Sequence, residues 1–559
     1  MFGVQEMAEL TTVPSLLTRS TKRYGERIAF CQPQANGKVV QVTYNQFAAD
    51  VAALATYLMG RSKITKKVGV IGRNSYQWAV VYFAVMSSGG TIVPLDKALT
   101  TEELIDSIDR VNLDVLFYAD DVQAKARVAS RKRSSTTFVS MHGKATADSL
   151  LFYLQTGKQM LEQGETKMTR VKIIPDACAA LLFTSGTTSR SKIVMLSQKS
   201  IMLDMQRGVR PFQITPEDVF LSILPMHHMF ECNAGFLAPL YSGSTIYFSQ
   251  GIRHVGSEFK TVKPTVVICV PRVIDSLHDK IWKGIRAKGK ERVVRSLIKL
   301  TALAGTAAPG LRRRLFSAVH QELGGRVRIF LSGAAPLNNK IAREMIGLGF
   351  GLFQGYGLTE CSPAVALTYV GNNDIDSVGP PIAGTKIQIA NKGDDGVGEV
   401  MIKGSQVMLG YYKDAAATRK VLQGGFFATG DLGFIKSNGS LKIVGRLKNM
   451  IVTSNGKKIY PEEIETLIAR HPAIRDVVVH EVTSKFGPQV CASVVLADAT
   501  SKTQKNLFAK QAKEHIAQVN QRLADYEQIQ KIDIRDDDFV RTSTLKVKRH
   551  LIKHRQFER

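Results

Sequence analysis

Between Leu181 and Ser197 the chain reads Leu-Leu-Phe-Thr-Ser-Gly-Thr-Thr-Ser-Arg-Ser-Lys-Ile-Val-Met-Leu-Ser. The apolar run 177–183 predicts a buried strand, and small or hydroxylated residues follow it, ahead of Arg190 and Lys192. Small side chains let backbone N–H groups approach an anion, hydroxyls donate further hydrogen bonds, and the lysine adds a positive charge. The stretch therefore favours a phosphate-binding loop over the alternative of a flexible surface turn. A Walker A motif, G-x-x-x-x-G-K-[ST], cannot be fitted to it.

Two later stretches have side chains suited to a nucleotide. The first, Ser332-Gly333-Ala334-Ala335-Pro336, is a small-residue turn after a predicted strand, and small side chains permit flat contact with a heterocycle. The second, 354–360, reads Gln-Gly-Tyr-Gly-Leu-Thr-Glu. It offers an aromatic face for a base, a hydroxyl for a phosphate and a carboxylate for a hard cation.

These stretches resemble the motifs of the AMP-forming adenylating enzymes, the superfamily of acyl-CoA synthetases, luciferases and peptide-synthetase adenylation domains. The resemblance continues through Leu-Pro-x-x-His ending at His228, Thr429-Gly430-Asp431, Gly445-Arg446, the segment 456–465 and the segment 541–549. The motifs occur in family order and span nearly the whole chain. Within the family, the sequence looks most similar to the long-chain fatty acid–CoA ligase branch.

The resemblance implies a role for each matched residue. It places Glu360 on Mg²⁺, His228 in the acyl pocket, and Lys448 at a hinge. The implied catalytic residues are Lys546, Thr184, Lys192 and Glu360. The implied nucleotide-binding residues are Thr184, Ser185, Gly186, Thr187, Thr188, Lys192, Gly333, Ala334, Ala335, Gly355, Tyr356, Gly357, Thr359, Asp431, Arg446 and Lys546.

The chain departs from the family pattern at four positions. Ser189 and Ile193 stand where the family has glycine in the phosphate loop, Ser191 stands where it has proline, and Leu545 replaces the glycine before Lys546. Replacing a glycine is costly where the backbone needs positive φ, by about 1 kcal/mol or more. The departures leave open a second interpretation, a catalytically weak nucleotide-binding homologue that serves as a sensor or scaffold.

Strand and helix patterns predict an α/β protein. Residues 68–95 read as a strand–helix–strand unit, and this alternation implies a parallel sheet covered on both faces. Residues 124–170 are polar and are predicted to be a surface insertion, whereas short alternating strands begin after Ser377. The family architecture then implies a large domain, 1–445, with two doubly wound sheet subdomains and a small β-barrel. A smaller mobile α+β lid is expected at 446–559.

Composition limits the class of protein. At 559 residues with 44% hydrophobic and 22% charged residues, the chain is expected to be globular with at least two domains. The six cysteines are far apart and contain no Cys-x-x-Cys, which argues against a disulfide framework or a zinc knuckle. The N-terminus lacks the pattern of a signal peptide. We therefore expect a cytoplasmic protein.

The net charge of +27 is unusual for a metabolic enzyme. Nucleic-acid binding is not favoured, because no recognisable binding module accompanies the basic residues. Two negatively charged partners fit better. One is the anionic inner surface of a membrane, to which the protein would bind peripherally, and the other is an acidic acyl carrier protein. A general compositional bias is the remaining explanation.

Together the motifs predict an AMP-forming acyl-CoA synthetase that uses ATP, Mg²⁺ and CoA. A fatty acid, long-chain by resemblance, is expected to form an acyl-adenylate with release of pyrophosphate, and CoA is expected to take the acyl group. Acyl carrier protein is an alternative acceptor, and medium-chain and aryl acids are alternative substrates.

Overall fold

The computed structural model describes residues 9–60, 67–184, 191–303, 309–453, 456–484, 487–541 and 547–552. Within these residues the α-helices are α1 Val13–Tyr24, α2 Tyr44–Gly60, α3 Tyr76–Ser87, α4 Thr101–Val111, α5 Gln123–Lys132, α6 Leu150–Glu162, α7 Gln198–Val209, α8 Ala238–Ser242, α9 Val255–Val262, α10 Pro271–Ala287, α11 Glu291–Leu303, α12 Pro309–Leu315, α13 Ser317–Glu322, α14 Asn339–Gly347, α15 Ala415–Val421, α16 Pro461–Ile468 and α17 Lys502–Asn520.

The strands in the same residues are β1 Ile28–Pro33, β2 Val39–Thr43, β3 Lys67–Ile71, β4 Thr91–Leu95, β5 Val115–Tyr118, β6 Thr137–Ser140, β7 Cys178–Phe183, β8 Ile193–Ser197, β9 Val219–Ser222, β10 Thr245–Phe248, β11 Val266–Cys269, β12 Ile329–Ser332, β13 Gly351–Gly357, β14 Ala364–Leu367, β15 Lys386–Ala390, β16 Gly398–Lys403, β17 Gly410–Tyr411, β18 Leu422–Gln423, β19 Phe426–Ile435, β20 Leu441–Arg446, β21 Ile451–Val452, β22 Lys458–Ile459, β23 Ile474–Ser484, β24 Gly487–Leu496 and β25 Lys531–Arg535.

The described chain divides into two compact units. The first contains the residues up to 184, 191–386 and 403–422, and the second contains 387–402 and the residues from 423 onward. The first unit holds two large sheets, and the second holds shorter sheets and the C-terminal helices.

One sheet of the first unit has the strand order β17-β8-β7-β4-β3-β5-β6. Strand β3 pairs in parallel with both β4 and β5, which confirms the parallel sheet predicted from the strand–helix alternation. Ser75 caps α3, and Thr100 with Glu103 forms the capping box of α4. These caps satisfy backbone N–H groups that a helix start otherwise leaves without partners.

The predicted surface insertion at 124–170 is wrong, because part of this segment is built into the fold. Strand β6 extends the sheet beside β5, and α6 packs on α2 so closely that a Cβ at Gly157 would lie 1.9 Å from the carbonyl oxygen of Ala53. Tyr153 of α6 is fully buried and packs against Tyr57 of α2, with ring centroids 4.1 Å apart. The sequence pattern did not indicate this contact, because only one face of α6 is buried and the rest of the segment is polar.

The second sheet of the first unit has the order β14-β13-β12-β11-β9-β10-β1-β2. Its central strands β9, β11, β12 and β13 run in parallel, so their carboxyl ends meet at one edge. Such an edge is the usual ligand-binding side of an open α/β sheet. The small-residue turn 333–336 directly follows β12 at this edge.

The second unit contains the short alternating strands predicted after Ser377. The sheet β15-β16-β19-β18 also pairs β19 with β20, and the sheet β23-β24-β25 packs with α16 and α17 around a separate apolar core. Pro461 begins α16, with Glu462 and Glu463 in its first turn, as expected for a helix start.

Candidate active site

The stretch 181–197 forms a hairpin and not the strand-to-helix turn of a Walker A loop. Strands β7 and β8 pair antiparallel, with Phe183 opposite Ile193. Thr184 and Lys192 close the turn: the backbone N–H of Thr184 donates to the carbonyl oxygen of Lys192 at 2.9 Å, and the Lys192 N–H donates to the Thr184 hydroxyl at 3.2 Å. The predicted binding residues Ser185, Gly186, Thr187 and Thr188, with Ser189 and Arg190, lie outside the described residues.

Lys192, Tyr411 and Glu360 meet at the base of this hairpin. The Lys192 ammonium lies 4.4 Å from the centroid of the Tyr411 ring, and the Tyr411 hydroxyl donates to a carboxylate oxygen of Glu360 at 3.0 Å. Burial and the Glu360 carboxylate raise the pKa of Tyr411, so this phenol stays a donor. The structure thus joins the predicted phosphate lysine and the predicted metal carboxylate through one aromatic side chain.

Tyr411 is a residue that sequence reasoning missed. It lies on the two-residue strand β17, which pairs antiparallel with β8 and carries Tyr411 opposite Val194. The nearby Met408 N–H also donates to the backbone carbonyl of Glu360 at 2.8 Å. Because this contact joins positions far apart in sequence, no local motif could have indicated it.

Arg110 of α4 is a second residue that the sequence did not indicate. Its guanidinium donates to the Ser191 hydroxyl at 3.2 Å and to the Ser191 carbonyl oxygen at 2.6 Å, and it lies 5.4 Å from the Phe183 ring centroid. Ser191 stands where the related enzymes have proline. Here two hydrogen bonds from Arg110 restrain the loop end at this position.

The departures at Ser191 and Ile193 do not strain the backbone. Among the described residues with positive φ, neither position appears. Ile193 is 4% exposed and packs in the core of the first sheet with Leu181 and Leu104. The backbone at position 193 therefore does not require glycine. The other two departures, Ser189 and Leu545, lie outside the described residues.

The segment with Tyr356 and Glu360 lies on β13 and in the short 3-10 turn after it. A Cβ at Gly357 would lie 1.7 Å from the Pro363 carbonyl oxygen, and one at Gly355 would lie 2.4 Å from a methyl of Leu367. Gly357 is therefore required for the pairing of β13 with β14, because a Cβ there would meet backbone, whereas the contact at Gly355 is with the end of a side chain. Tyr356 and Thr359 are half-buried.

A buried network supports this turn from below. The Asp204 carboxylate of α7 accepts from the Asn233 amide at 2.8 Å and from the Ala364 N–H at 3.1 Å, and Asn233 also donates to the Ser362 carbonyl oxygen. Burial raises the pKa of Asp204 well above its ordinary value. The Ser362 hydroxyl donates to the Gln406 carbonyl oxygen at 2.8 Å, which ties the turn to the segment leading to Tyr411.

The turn after β12 holds Gly333, Ala334 and Ala335. Ala334 has φ 72°, in the left-handed region that non-glycine residues seldom occupy. Such strain often marks a binding site. Phe230 packs against this turn, because a Cβ at Gly333 would lie 3.1 Å from its ring.

His228 lies beside this edge of the second sheet. Its ring is 4.1 Å from that of His227, whose Nε2 lies 3.5 Å from an Asp96 carboxylate oxygen. Asn74, at the start of α3, donates to the Leu224 carbonyl oxygen at 2.7 Å and accepts from the Met226 N–H at 2.9 Å. The first sheet thereby fixes the loop that carries His228.

An apolar cavity lies between the second sheet and α7. Its walls come from the strand residues Phe220, Ile268 and Leu331, from α7, and from Phe230 and the π-helical turn Glu231–Leu237 that follows. Phe230 therefore contacts both this cavity and the turn at Gly333.

In the second unit, Asp431 and Arg446 form an ion pair. They face each other across β19 and β20, and the Arg446 Nε lies 2.8 Å from an Asp431 carboxylate oxygen. Asp431 is 3% exposed. Burial and the nearby Arg446 lower the pKa of Lys448, the predicted hinge residue.

Lys546 itself lies outside the described residues, but both ends of its segment are anchored. Arg541 forms an ion pair with Asp476 of β23, and Arg549 donates to both carboxylate oxygens of Glu465 on α16. Residues 541 and 547 also form an isolated antiparallel bridge. The segment is thus held to the C-terminal sheet and to α16 on either side of the lysine.

Comparison with known proteins agrees with this architecture. The family model described as AMP-binding enzyme matches residues 17–412, and the model of the AMP-binding enzyme C-terminal domain matches residues 448–558. Among curated relatives, the long-chain-fatty-acid–CoA ligase FadD15 of Mycobacterium bovis is 28% identical over 462 residues, covering 79% of this chain and 76% of that protein. The long-chain-fatty-acid–CoA ligase 5 of Mus musculus is 27% identical over 565 residues, covering 91% and 82%.

Solved structures show the same fold. The anthranilate CoA ligase AuaEII, in complex with anthranoyl-AMP, has a TM-score of 0.76 at 17% identity, with 98% of each chain covered. ATP-bound MatB from Rhodopseudomonas palustris has a TM-score of 0.73 at 23% identity, covering 96% of this chain and 97% of that one. The fold, the ordered motifs and the two matching family models lead to one conclusion: this chain belongs to the AMP-binding enzyme family.

Proposed function

We propose that this protein activates a long-chain fatty acid with ATP and transfers the acyl group to CoA. The apolar cavity carries this proposal. Its walls are almost wholly apolar, which suits a hydrocarbon chain, and Phe230 contacts both the cavity and the turn expected to hold adenine. The relatives named long-chain-fatty-acid–CoA ligases support the same substrate class.

In the first half-reaction, a carboxylate oxygen of the acid attacks the α-phosphorus of ATP. A new O–P bond forms, the bond to the leaving pyrophosphate breaks, and an acyl-adenylate results. The chain's own residues position the reactants and neutralise charge, with no covalent nucleophile. Thr184 and Lys192 are proposed to hold the phosphates, Tyr356 the adenine, and Asp431 with Arg446 the ribose.

The donor set at Glu360 fits Mg²⁺. A half-buried carboxylate is a hard oxygen ligand, and Mg²⁺ on ATP needs only one or two such groups from the protein. Tyr411 orients this carboxylate by donating to one of its oxygens. When bound, the ion would neutralise phosphate charge.

In the second half-reaction, the sulfur of CoA attacks the acyl carbon and gives up its proton to water. A C–S bond forms, the bond from the acyl carbon to the phosphate oxygen breaks, and AMP leaves. We propose the division into an adenylation domain at 1–445 and a lid at 446–559, with Lys448 at the hinge. Acyl carrier protein is the second acceptor considered, because a protein of net charge +27 attracts acidic partners.

The test is a panel of acids from C6 to C20, plus benzoate, assayed for AMP release with either CoA or acyl carrier protein. We expect the highest kcat/KM for a long-chain acid with CoA. Equal activity on benzoate would contradict the proposed substrate class, and activity only with the carrier protein would replace CoA as acceptor. The absence of any AMP release would leave the sensor or scaffold interpretation.

A further inference from the structure

The helix α7 has a glycine facing the apolar cavity. Asp204, Met205, Gly208 and Val209 of this helix line the cavity, a spacing that places them on one helical face. Across from Gly208 are Ala364 and Leu367, which also line the cavity.

The backbone does not require glycine at this position. Gly208 lies within α7 and is not among the described glycines with positive φ. Glycine inside a helix is less favourable than any residue except proline. Gly208 therefore matters for the volume of the cavity, because any other residue would place a side chain in it.

The space beside Gly208 is open enough for a side chain. An added Cβ would lie 3.8 Å from a methyl of Leu367 and 4.0 Å from the Cβ of Ala364, both ordinary contact distances. Atoms beyond that Cβ would occupy volume between α7 and β14 that an acyl chain could otherwise fill.

We infer that Gly208 determines the length of acyl chain that the cavity accepts. This inference rests on the proposed function, because it takes the cavity to be the acyl site. Gly208→Leu adds four carbon atoms to the cavity wall and should exclude a similar number of acyl carbons. Interiors are close-packed, so neighbouring side chains absorb little of the added volume.

The experiment compares Gly208→Leu with the wild-type protein on saturated acids from C6 to C20. Binding is measured by displacement of a fluorescent fatty acid, and kcat/KM is measured with CoA. For Gly208→Leu we expect the optimum to move about four carbons shorter, with kcat/KM for the longest acids at least ~10-fold lower. Gly208→Ala should shift the profile in the same direction by a smaller amount.

Gly284→Leu is the matched control, because Gly284 is an exposed glycine within α10 whose added Cβ would meet no atom within 4 Å. It should keep the wild-type profile. An unchanged profile in folded Gly208→Leu and Gly208→Ala would overturn the inference while leaving the proposed function intact. A wild-type protein that neither binds nor activates any fatty acid would overturn both.

Discussion

At the scale of single residues, the contact between Lys192, Tyr411 and Glu360 is the most informative feature. The proposed phosphate-binding lysine and the proposed metal carboxylate are each indicated by a local motif, but the tyrosine between them is not. It makes the position of Glu360 depend on β17, and therefore on the hairpin that carries Lys192.

The first prediction concerns the charge of Glu360. Glu360→Gln keeps the shape of the side chain and can still accept from Tyr411, but it removes the anionic ligand. We expect half-maximal adenylation to need at least about 10-fold more Mg²⁺. The measurement is the initial rate of adenylation against Mg²⁺ concentration at fixed ATP.

Glu102→Gln is the control, because Glu102 is an exposed carboxylate in the first turn of α4. It should leave the Mg²⁺ dependence unchanged. If Glu360→Gln also leaves it unchanged, Glu360 is not the metal ligand.

Some residue contacts could not be predicted from the sequence for a physical reason. Arg110 lies 81 positions from Ser191, and Tyr411 lies 51 positions from Glu360, so their contacts depend on the finished fold. The motifs, by contrast, are local: spacing and residue type indicate a phosphate-binding loop without any tertiary information. Ser191 departs from the family pattern, and the sequence alone does not reveal that Arg110 binds it.

At the scale of elements, hydrophobic pattern predicted the strands and helices with strong local signals. The β-strand at 426–435 and the capped helix α4 are examples. The segment 124–170 looks like a surface insertion in the sequence because α6 buries only one face. Its contact with α2 depends on Gly157, which gives no pattern signal. The antiparallel direction of β8 was likewise not predicted, since pattern alone does not set strand direction.

The second prediction concerns the segment of Lys546, whose two ends are anchored by Arg541 and Arg549. By analogy with the family, we propose that its ammonium neutralises charge in adenylation, a contribution of roughly 3 kcal/mol. Lys546→Ala should therefore slow acyl-adenylate formation by on the order of 100-fold. Thioester formation from supplied acyl-adenylate should change little. Both half-reactions are measured on the same purified variant.

Lys548→Ala is the control for this segment and should keep both half-reactions. Equal losses in the two half-reactions of Lys546→Ala would indicate a general defect of the C-terminal domain. If Lys546→Ala loses nothing and Lys548→Ala loses adenylation, Leu545 has shifted the register and Lys548 has the role.

At the scale of the whole molecule, the net charge of +27 is a property that the fold does not explain. Among the described residues, no helix is both long and apolar enough to span a bilayer. A net positive charge of this size would attract an anionic surface.

The third prediction is salt-sensitive binding to vesicles that contain anionic lipid. Exposed charges are screened as the Debye length falls to a few Å, so binding should be lost between low salt and ~0.5 M. The measurement is cosedimentation with vesicles of phosphatidylcholine and phosphatidylserine, and vesicles of phosphatidylcholine alone are the control. If the protein sediments with neither at low salt, the charge does not serve membrane binding.

Whether this chain makes an acyl-adenylate from a fatty acid can be measured without an acceptor and without the second half-reaction. Exchange of labelled pyrophosphate into ATP reports the reversible first half-reaction without any acceptor. We predict exchange that requires a long-chain fatty acid and Mg²⁺ and proceeds in the absence of CoA. Exchange that is absent with every fatty acid, in a protein that still binds ATP, would contradict the proposed function.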